Sequence, residues 1–346
     1  INVTVMMKEN SLSLKYKNSF GVETIAKQIF YPDSVEDLQS LPDLTDQAFY
    51  VLGEGSNTLF TDDVAPIIIC PHFKGIEINE NDSHYIIKVG ASENWHDLVT
   101  LFISKGIFGL ENLALIPGSC GAAPIQNIGA YGVEFSDYCL SLEWFDFKSK
   151  TSQLMNNNVC NFGYRDSIFK RELNNRGLIV SITLKLEKKW QANLSYQGLG
   201  VLSKDTSAEN VFSHIIKLRQ SKLPDPKVLP NAGSFFKNPM VDVDTLAVLK
   251  GRYPNIPFYP QTNDTVKLAA GWLIEECGLK GYRNARVGVH HKQSLVLINH
   301  NSGNGFDIVK LAKYVQDCVD KKFSVMLQPE VKMVTSKGEV NFTELN

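Results

Sequence analysis

The sequence lacks any long apolar run, and no stretch approaches the roughly 18 consecutive apolar residues that a membrane-spanning helix requires. It also lacks an excess of positive charge, since 35 Lys and Arg residues stand against 37 Asp and Glu and give a formal net charge of -2. Because nucleic-acid binding depends on a basic surface, this balance disfavours DNA and RNA as partners, although it allows a local basic site for a small anion. We therefore expect a soluble protein that binds neither a membrane nor nucleic acid.

The six cysteines are scattered, and no two of them form a CxxC pair. This spacing argues against a structural zinc site and a disulfide framework, so we expect reduced thiols and no metal. The first ten residues, INVTVMMKEN, have neither a basic head nor a continuous apolar core, and they do not resemble a signal peptide. These absences favour a cytoplasmic protein, for which we take a monomer as the default state.

With 346 residues, the chain exceeds the roughly 150 residues typical of one domain, so two or three domains are expected. The first half combines short apolar strands with one amphipathic helix over 95–105, which Asn94 caps and Gly106 ends. The predicted strands are FYVL (49–52), PIIIC (66–70), HYIIKVG (84–90), LSLEWFDF (140–147) and GLIVSITLKL (177–186). Residues 187–207 are polar and irregular, and we place a domain boundary there.

The last third of the chain predicts a compact α+β unit. Its predicted elements are a helix over about 208–219, the loop KLPDPKVLP, a helix over 266–277 closed by Gly278, the strand SLVLIN and a helix over 307–321. Each helix carries one apolar stripe, which is typical of packing against a core. The fold class expected from the whole pattern is therefore α+β.

The segment VLGEGSNTLF leads from an apolar strand into a loop with Gly53 and Gly55, followed by Ser56 and Asn57. Glycines allow the backbone to approach a ligand closely and turn successive N–H groups inward, which suits a pyrophosphate. The segment is not a G-x-G-x-x-G fingerprint because the third glycine is missing, and the chain has no G-x-x-x-x-G-K-[ST] motif. A tight turn between two strands would give the same pattern, so both interpretations stay open.

A second glycine-rich segment, LIPGSCGAAPIQNIGAYG, spans residues 115–132. Its glycines and small residues cannot build a core of their own, so the segment must lie against something flat and extended, for which a bound dinucleotide is the obvious candidate. A glycine-rich surface loop is the alternative. It is disfavoured because Ile116, Ile125 and Ile128 alternate with the glycines and need burial.

Three further segments place reactive side chains in apolar surroundings. In NFGYRDSIFK, Arg165 either clamps a carboxylate or pairs with Asp166. In NAGSFFKNP, Ser234 precedes two phenylalanines, and its hydroxyl is either a turn hydroxyl or a reactive group. In MLQPEVKMV, Glu330 is predicted inside an apolar strand, and it is either a charge at the strand edge or a catalytic group.

Taken together, these segments resemble the UDP-N-acetylenolpyruvoylglucosamine reductase family, the flavoenzymes that make UDP-N-acetylmuramate for bacterial peptidoglycan. The resemblance covers almost the whole chain, because its motifs occur in family order and at family spacing: SLKYKNSFG, GEGSN, ENLALIPG, PIQNIGAYG, NFGYRDSIFK, KLPDPK, NAGSFFKNP, VKLAAGWLIEECGLKG and LQPEV. LSYQGL (194–199), with KLPDPK, is similar to the type I branch, which has an extra tyrosine-bearing loop over the substrate. The segment SCGAA (119–123) departs locally by its cysteine, a change that the family should tolerate.

The resemblance implies a two-lobed FAD-binding region of the vanillyl-alcohol-oxidase (PCMH) type and a separate α+β substrate-binding domain. The implied ranges are 17–188 for the FAD region, with lobes of about 17–70 and 71–188, then 189–206 for the tyrosine loop, 207–325 for the substrate domain and 326–346 for a C-terminal strand that carries Glu330 and is a candidate to pack back on the FAD lobe. FAD is expected to bind non-covalently. The implied FAD-binding residues are Gly53, Gly55, Ser56, Asn57, Pro117, Gly118, Ser119, Gly121, Ala122, Ile125, Asn127, Gly129, Ala130 and Tyr131.

The family reaction implies a two-step hydride relay from NADPH through FAD to the enolpyruvyl ether of a UDP-sugar. By resemblance, Arg165 and Glu330 would stabilise charge that develops on the substrate carboxylate, and Ser234 would donate the proton. The implied substrate-binding residues are Tyr131, Tyr164, Tyr196, Lys222, Asn238, Lys267, Lys280 and Gln293.

Two functions of other classes remain as alternatives. A flavin oxidase with the same cofactor fold would act on an alcohol or a sugar, but the segment from Lys222 to Glu330 argues against it. A non-enzymatic UDP-sugar sensor would have lost the chemistry, although all three reactive residues are present in this sequence.

Overall fold

The computed structural model describes residues 6–261 and 264–345, and its backbone divides into two compact units. Unit 1 consists of Ile1–Leu12, Ala26–Gly55 and Pro66–Ser221, and unit 2 consists of Ser13–Ile25, Ser56–Ala65 and Lys222–Asn346. Residues 17–25 and 56–65, which the sequence assigned to the FAD region, thus group with the C-terminal half of the chain. The assignment of the predicted ranges to cofactor and substrate stays a prediction.

Most α-helices of the described residues are short, and only two of them are longer than ten residues. The helices are α1 Val35–Ser40, α2 Trp95–Ser104, α3 Ala208–Lys222, α4 Val243–Arg252, α5 Ala270–Glu276 and α6 Gly305–Phe323. None of these helices is both long and apolar enough to span a bilayer, a finding that covers the described residues alone.

The strands are numbered in chain order. The first thirteen are β1 Met7–Ser13, β2 Ile25–Tyr31, β3 Phe49–Val51, β4 Thr58–Phe60, β5 Val64–Ala65, β6 Ile67–Ile69, β7 Ile76–Glu80, β8 His84–Gly90, β9 Gly129–Ala130, β10 Val133–Glu134, β11 Cys139–Asp146, β12 Thr151–Asn156 and β13 Gly177–Glu187. The others are β14 Asn231–Ser234, β15 Met240–Asp242, β16 Phe258–Pro260, β17 Thr265–Leu268, β18 Val287–Val289, β19 Val296–Asn299, β20 Lys332–Thr335 and β21 Gly338–Val340.

Unit 1 is built on two sheets. Strands β1, β2, β6 and β3 are hydrogen-bonded in that order, and β6 runs parallel to both β2 and β3. Strands β12, β11, β13, β8 and β7 form an antiparallel sheet. The predicted helix is confirmed as α2, whose Asn94 side chain accepts from the N–H of Asp97 and whose apolar stripe is buried against the antiparallel sheet in one core.

Unit 2 contains three small sheets, in the orders β14-β19-β18, β15-β17-β16 and β21-β20-β4. They share one core with α4, α5 and α6. Helix α6 begins with a capping box in which Asn304 accepts from the N–H of Asp307 and the Asp307 carboxylate accepts from the N–H of Asn304. Both phenylalanines after Ser234 are fully buried in this core.

The predicted helix over 266–277 is wrong in its first part. Residues 265–268 form β17, in which Val266 and Leu268 are buried while Thr265 and Lys267 are half-exposed. This alternation has the period of two that a strand requires, and β17 pairs on one side with β15 and on the other with β16. The helix itself is limited to α5.

Glu330 was predicted inside an apolar strand, and this prediction is also wrong. Strand β20 begins two residues later, at Lys332, and pairs in parallel with β4. Pro329 forms an isolated bridge with Phe236, so the backbone at Glu330 lies between two pairings rather than within one strand.

We expect Gly305→Ala to destabilise the protein by about 3 kcal/mol, because a Cβ at this position would lie 1.9 Å from the carbonyl oxygen of Phe60, which belongs to the backbone and cannot move aside cheaply. The matched control is Gly251→Ala in α4, where a Cβ would meet no atom within 4 Å. The control should be neutral or stabilising by up to about 1 kcal/mol. Urea unfolding of both variants measures the difference, and equal midpoints would contradict the steric argument.

Candidate active site

The two glycine-rich segments of unit 1 meet each other. A Cβ on Gly53 would lie 2.9 Å from the Oγ of Ser119, so the turn at Gly53 packs directly against the second segment. Among the described residues, no hydrogen bond to the protein uses the N–H groups of Gly53, Glu54 or Gly55. A glycine turn with unused amides is the arrangement that a pyrophosphate occupies in nucleotide-binding loops.

The second segment is laid along the residues that precede α2. Cys120 donates to the carbonyl of Glu93, Gly121 donates to the carbonyl of Ala91, and Trp95 donates to the carbonyl of Gly118, at 2.8 to 2.9 Å. These bonds fix residues 118–121 against that stretch, and residues 120–127 continue as consecutive turns, so they disfavour the alternative of a detached surface loop. We call residues 115–132 the ribbon. FAD therefore fits this part of unit 1, since the ribbon and the Gly53 turn together present close backbone to a ligand.

Leu115 opens this ribbon in a left-handed conformation, with φ 58°. Its N–H donates to the Nδ1 of His96 at 3.0 Å, so His96 must be neutral and carry its proton on Nε2. The imidazole stacks on Phe212 with a centroid distance of 6.0 Å. Burial lowers the pKa of His96 below its ordinary value of 6.5, and Arg219 adds to that effect while Asp97 opposes it.

Arg165 lies close to the same ribbon in unit 1. Its Nη2 donates to the carbonyl of Gly129 at 2.7 Å, and its guanidinium lies 5.4 Å from the centre of the Tyr164 ring. Its backbone is left-handed, with φ 53°. The carboxylate of Asp166 forms its ion pair with Arg171 and not with the neighbouring Arg165.

The tyrosines predicted at the substrate meet at the end of the ribbon. The rings of Tyr131 and Tyr196 are edge to face, with centroids 5.1 Å apart. The amide of Asn112 donates to the carbonyl of Tyr131 at 2.8 Å and to that of Asn193 at 3.0 Å, which ties the tyrosine loop to the ribbon. Sequence reasoning missed Asn112, although it lies in the quoted motif ENLALIPG.

In unit 2, Ser234 ends β14 beside β19. Gly233 adopts φ 70° and its N–H donates to the side chain of Asn231, which forms the turn that presents the serine. The next residue, Phe235, donates to the carbonyl of Leu295 at 2.8 Å, and Ser234 itself is paired with Val296. The phenylalanine side chains thus anchor the segment, because their rings are buried and lie 5.1 Å apart.

Glu330 is attached to the same segment. Its N–H donates to the carbonyl of Phe235 at 2.7 Å, and its own carbonyl accepts from the side-chain amide of Asn57 at 3.1 Å. The structure therefore brings the segments of Ser234, Glu330 and Asn57 together within unit 2. Arg165 belongs to unit 1.

The other predicted substrate residues have varied surroundings. Lys222 is the last residue of α3. The Oδ1 of Asn238 accepts from the N–H of Ala270 at 2.9 Å, and the Oε1 of Gln293 lies 3.1 Å from where a Cβ of Gly271 would be, so both side chains lie at the start of α5. Lys280 forms an ion pair with Glu275 at 2.8 Å.

Lys267 lies in the middle strand of its sheet, paired with Met240 and Tyr259. Within the described residues, no three His, Cys, Asp or Glu side chains are grouped so that they could hold a metal ion. All six cysteines are free thiols, and burial raises the pKa of Cys120 in the ribbon.

The comparisons with known proteins cover both parts of the chain. A model described as FAD binding domain matches residues 26–152, and one described as UDP-N-acetylenolpyruvoylglucosamine reductase, C-terminal domain, matches residues 225–334. Curated reductases of that name are similar over 96% of this chain: one from Photorhabdus laumondii is 45% identical with 99% of its length covered, and one from Salmonella typhimurium is 46% identical with 98% covered.

A solved structure of a reductase of the same name, from Thermus caldophilus, aligns with 95% of this chain and 99% of its own, with a TM-score of 0.66 and 21% identity. At this identity the likeness concerns the fold. Together with the FAD-binding model, it confirms the predicted α+β fold class with an FAD-binding region and a second domain.

We expect the protein to lose stability as the pH falls from about 7 to 5, in part because of His96. Its pKa is lower in the folded state, so below its ordinary value the unfolded chain binds more protons and unfolding is favoured. His96→Asn keeps an acceptor for the N–H of Leu115 but removes the titration. Thermal unfolding at several pH values should show a shallower acid decline in this variant, and parallel curves would contradict the assignment.

Proposed function

The chain belongs to the UDP-N-acetylenolpyruvoylglucosamine reductase family, and from this membership we propose that it uses NADPH to reduce UDP-N-acetylglucosamine enolpyruvate to UDP-N-acetylmuramate, a step of peptidoglycan precursor synthesis. The observation that carries the proposal is the Ser234 segment. There the backbone of Phe235 joins Ser234 to Glu330, and both residues stand at the family's motif positions.

When bound, FAD supplies the hydride chemistry that side chains cannot perform. We assign its binding to the Gly53 turn and the ribbon of residues 115–132. Gly53 packs on Ser119, and the unused amides of the turn are suited to a pyrophosphate. Ser56 and Asn57 follow the same turn in the sequence and stay predicted contacts.

Reduction of a double bond conjugated with a carboxylate places negative charge on that carboxylate. Arg165 supplies a fixed positive charge for it, because its guanidinium is held by the carbonyl of Gly129 and by the face of Tyr164. Glu330 is proposed as a hydrogen-bonding partner of the same group. The hydrogen bonds of its backbone to Phe235 and Asn57 fix the position of the backbone from which the side chain of Glu330 extends.

Ser234 donates the proton that completes the product. A serine hydroxyl is a weak acid, but the carbon that it protonates is a strong base, so the transfer is favourable once the two atoms are in line. The Gly233 turn and the buried ring of Phe235 limit the movement of the hydroxyl.

The UDP-sugar needs local positive charge at its diphosphate. We propose Lys222 and Asn238 for this contact, and Tyr196 from the extra loop would lie along the nucleotide. Lys267 and Gln293 are further proposed contacts. Lys280 is a weaker one, because its ammonium already pairs with Glu275.

We expect Ser234→Ala to leave the first half-reaction intact and to slow the second by at least about 100-fold, since general-acid groups contribute roughly 100-fold to 10,000-fold. Anaerobic stopped-flow absorbance of the flavin measures both: bleaching by NADPH, then return of the yellow colour after the UDP-sugar is added. Ser294→Ala, which removes a buried hydroxyl from the neighbouring turn, is the control. Equal loss in both half-reactions would remove Ser234 from its proposed role.

We also expect parallel double-reciprocal plots for NADPH and the UDP-sugar, with each substrate inhibiting at high concentration. The reason is that both are proposed to use the same anion-binding contacts in turn. Initial rates over a grid of the two concentrations measure this, and intersecting lines, which indicate a ternary complex, would contradict a shared site.

A further inference from the structure

Glu54 stands between the two glycines of the Gly53 turn, where negative charge opposes the binding of a pyrophosphate. Both of its carboxylate oxygens accept hydrogen bonds from the side-chain amide of Asn94, at 2.8 and 3.0 Å. A carboxylate that moved freely could fold onto the unused amides of the turn or repel a phosphate, because like charges in one small site disfavour each other. The contact with Asn94 restricts the positions that this carboxylate can take.

Asn94 uses both polar atoms of its side chain. Its Oδ1 accepts from the N–H of Asp97 at 2.9 Å and so caps α2, while its Nδ2 donates to Glu54. Its backbone forms an isolated bridge with Ser119 of the ribbon. Serine or aspartate would cap the helix as well as asparagine does, but neither has an amide that can also donate to a carboxylate. The asparagine thus joins the start of α2, the ribbon and the Gly53 turn.

The turn itself has little else to hold it. Glu54 is the only residue of the segment 53–55 that has a side chain beyond hydrogen, and Gly55 adopts φ 66°, which requires a glycine-like conformation. A turn that is fixed before its ligand arrives loses less conformational entropy on binding, and it therefore binds more tightly. The link from Glu54 to the cap of a helix provides such a fixed point.

We propose that Glu54 and Asn94 form a positioning pair, in which Asn94 fixes the Gly53 turn through Glu54 for the pyrophosphate of FAD. The inference rests on the proposed function in one respect, which is the assignment of the pyrophosphate to this turn. Asn94 acts through Glu54, and Glu54 acts through the backbone that carries it. The contacts that carry the inference all lie within unit 1.

The test is the release of FAD from the loaded protein on dilution, measured by the fluorescence that the flavin regains in solution. Asn94→Ser keeps a good helix cap but removes the amide that donates to Glu54. It should raise the dissociation constant of FAD roughly 3-fold to 10-fold, the effect of one exposed hydrogen bond. Glu54→Ala should raise the constant by a similar factor, although it removes a negative charge. Constants that are unchanged or lower in both variants would overturn the inference.

Reversing the pair separates its hydrogen bond from effects of charge and folding. Asn94→Asp keeps the cap but places two carboxylates against each other, so it should weaken FAD binding more than Asn94→Ser does. When Glu54→Gln is added, the glutamine amide can donate to the aspartate, and the pair has its original total charge. The double variant should return to within about 2-fold of the native dissociation constant. It decides the question even if Asn94→Asp alone holds no flavin, and a double variant that does not recover would contradict the pairing.

Asn304→Ser is the matched control, because it makes the same substitution at the cap of α6, where the Oδ1 of Asn304 accepts from the N–H of Asp307. It should leave the dissociation constant of FAD unchanged. An equal loss of FAD in this control would show that the effect of Asn94→Ser is one of helix capping, and it would overturn the inference.

Gly53→Ala distinguishes failure of this inference from failure of the cofactor assignment. A Cβ at Gly53 would lie 2.9 Å from the Oγ of Ser119, so the substitution should displace the turn and weaken FAD binding. If Gly53→Ala weakens binding while the variants of Glu54 and Asn94 do not, the inference alone fails. If none of these variants changes the dissociation constant, the assignment of the pyrophosphate to the turn fails, and the inference fails with it.

Discussion

The backbone of Phe235 is the point on which the chemistry proposed for unit 2 depends. Its N–H donates to Leu295, its carbonyl accepts from Glu330, and its side chain is buried among other aromatic and aliphatic residues. The two hydrogen bonds use both backbone groups, and the buried ring prevents rotation of the segment. The hydroxyl of Ser234 and the carboxyl of Glu330 are therefore set by one residue that has no reactive group of its own.

Unit 1 also uses backbone hydrogen bonds to fix a segment that carries site residues of the prediction. A glycine-rich ribbon has too few side chains to hold itself, so it is fixed through its backbone to the residues before α2 and through His96 and Asn112 to its neighbours. The left-handed residues Leu115 and Tyr131 change the direction of the chain at its two ends.

The chain has nearly as many basic as acidic residues, so the charge at a site depends on where single arginines are held. Arg165 is held in place by its hydrogen bond to the carbonyl of Gly129 and by the ring of Tyr164. A net charge of -2 over the whole chain therefore gives little information about the field at the site.

The sequence by itself determined what depends on local pattern: the stripe and cap of α2, the two glycine segments, Ser234 with its buried phenylalanines, and the strands β3, β6, β8, β11, β13 and β19. Tertiary structure decided the rest. It formed a strand at Val266 and Leu268 where the spacing also allows a helix, directed Asp166 to Arg171, and packed Gly53 on Ser119 from a distant part of the chain. Local patterns follow from contacts two to four residues apart, whereas the partner of a charge, of a short strand or of a glycine turn is chosen by which segments the fold brings together.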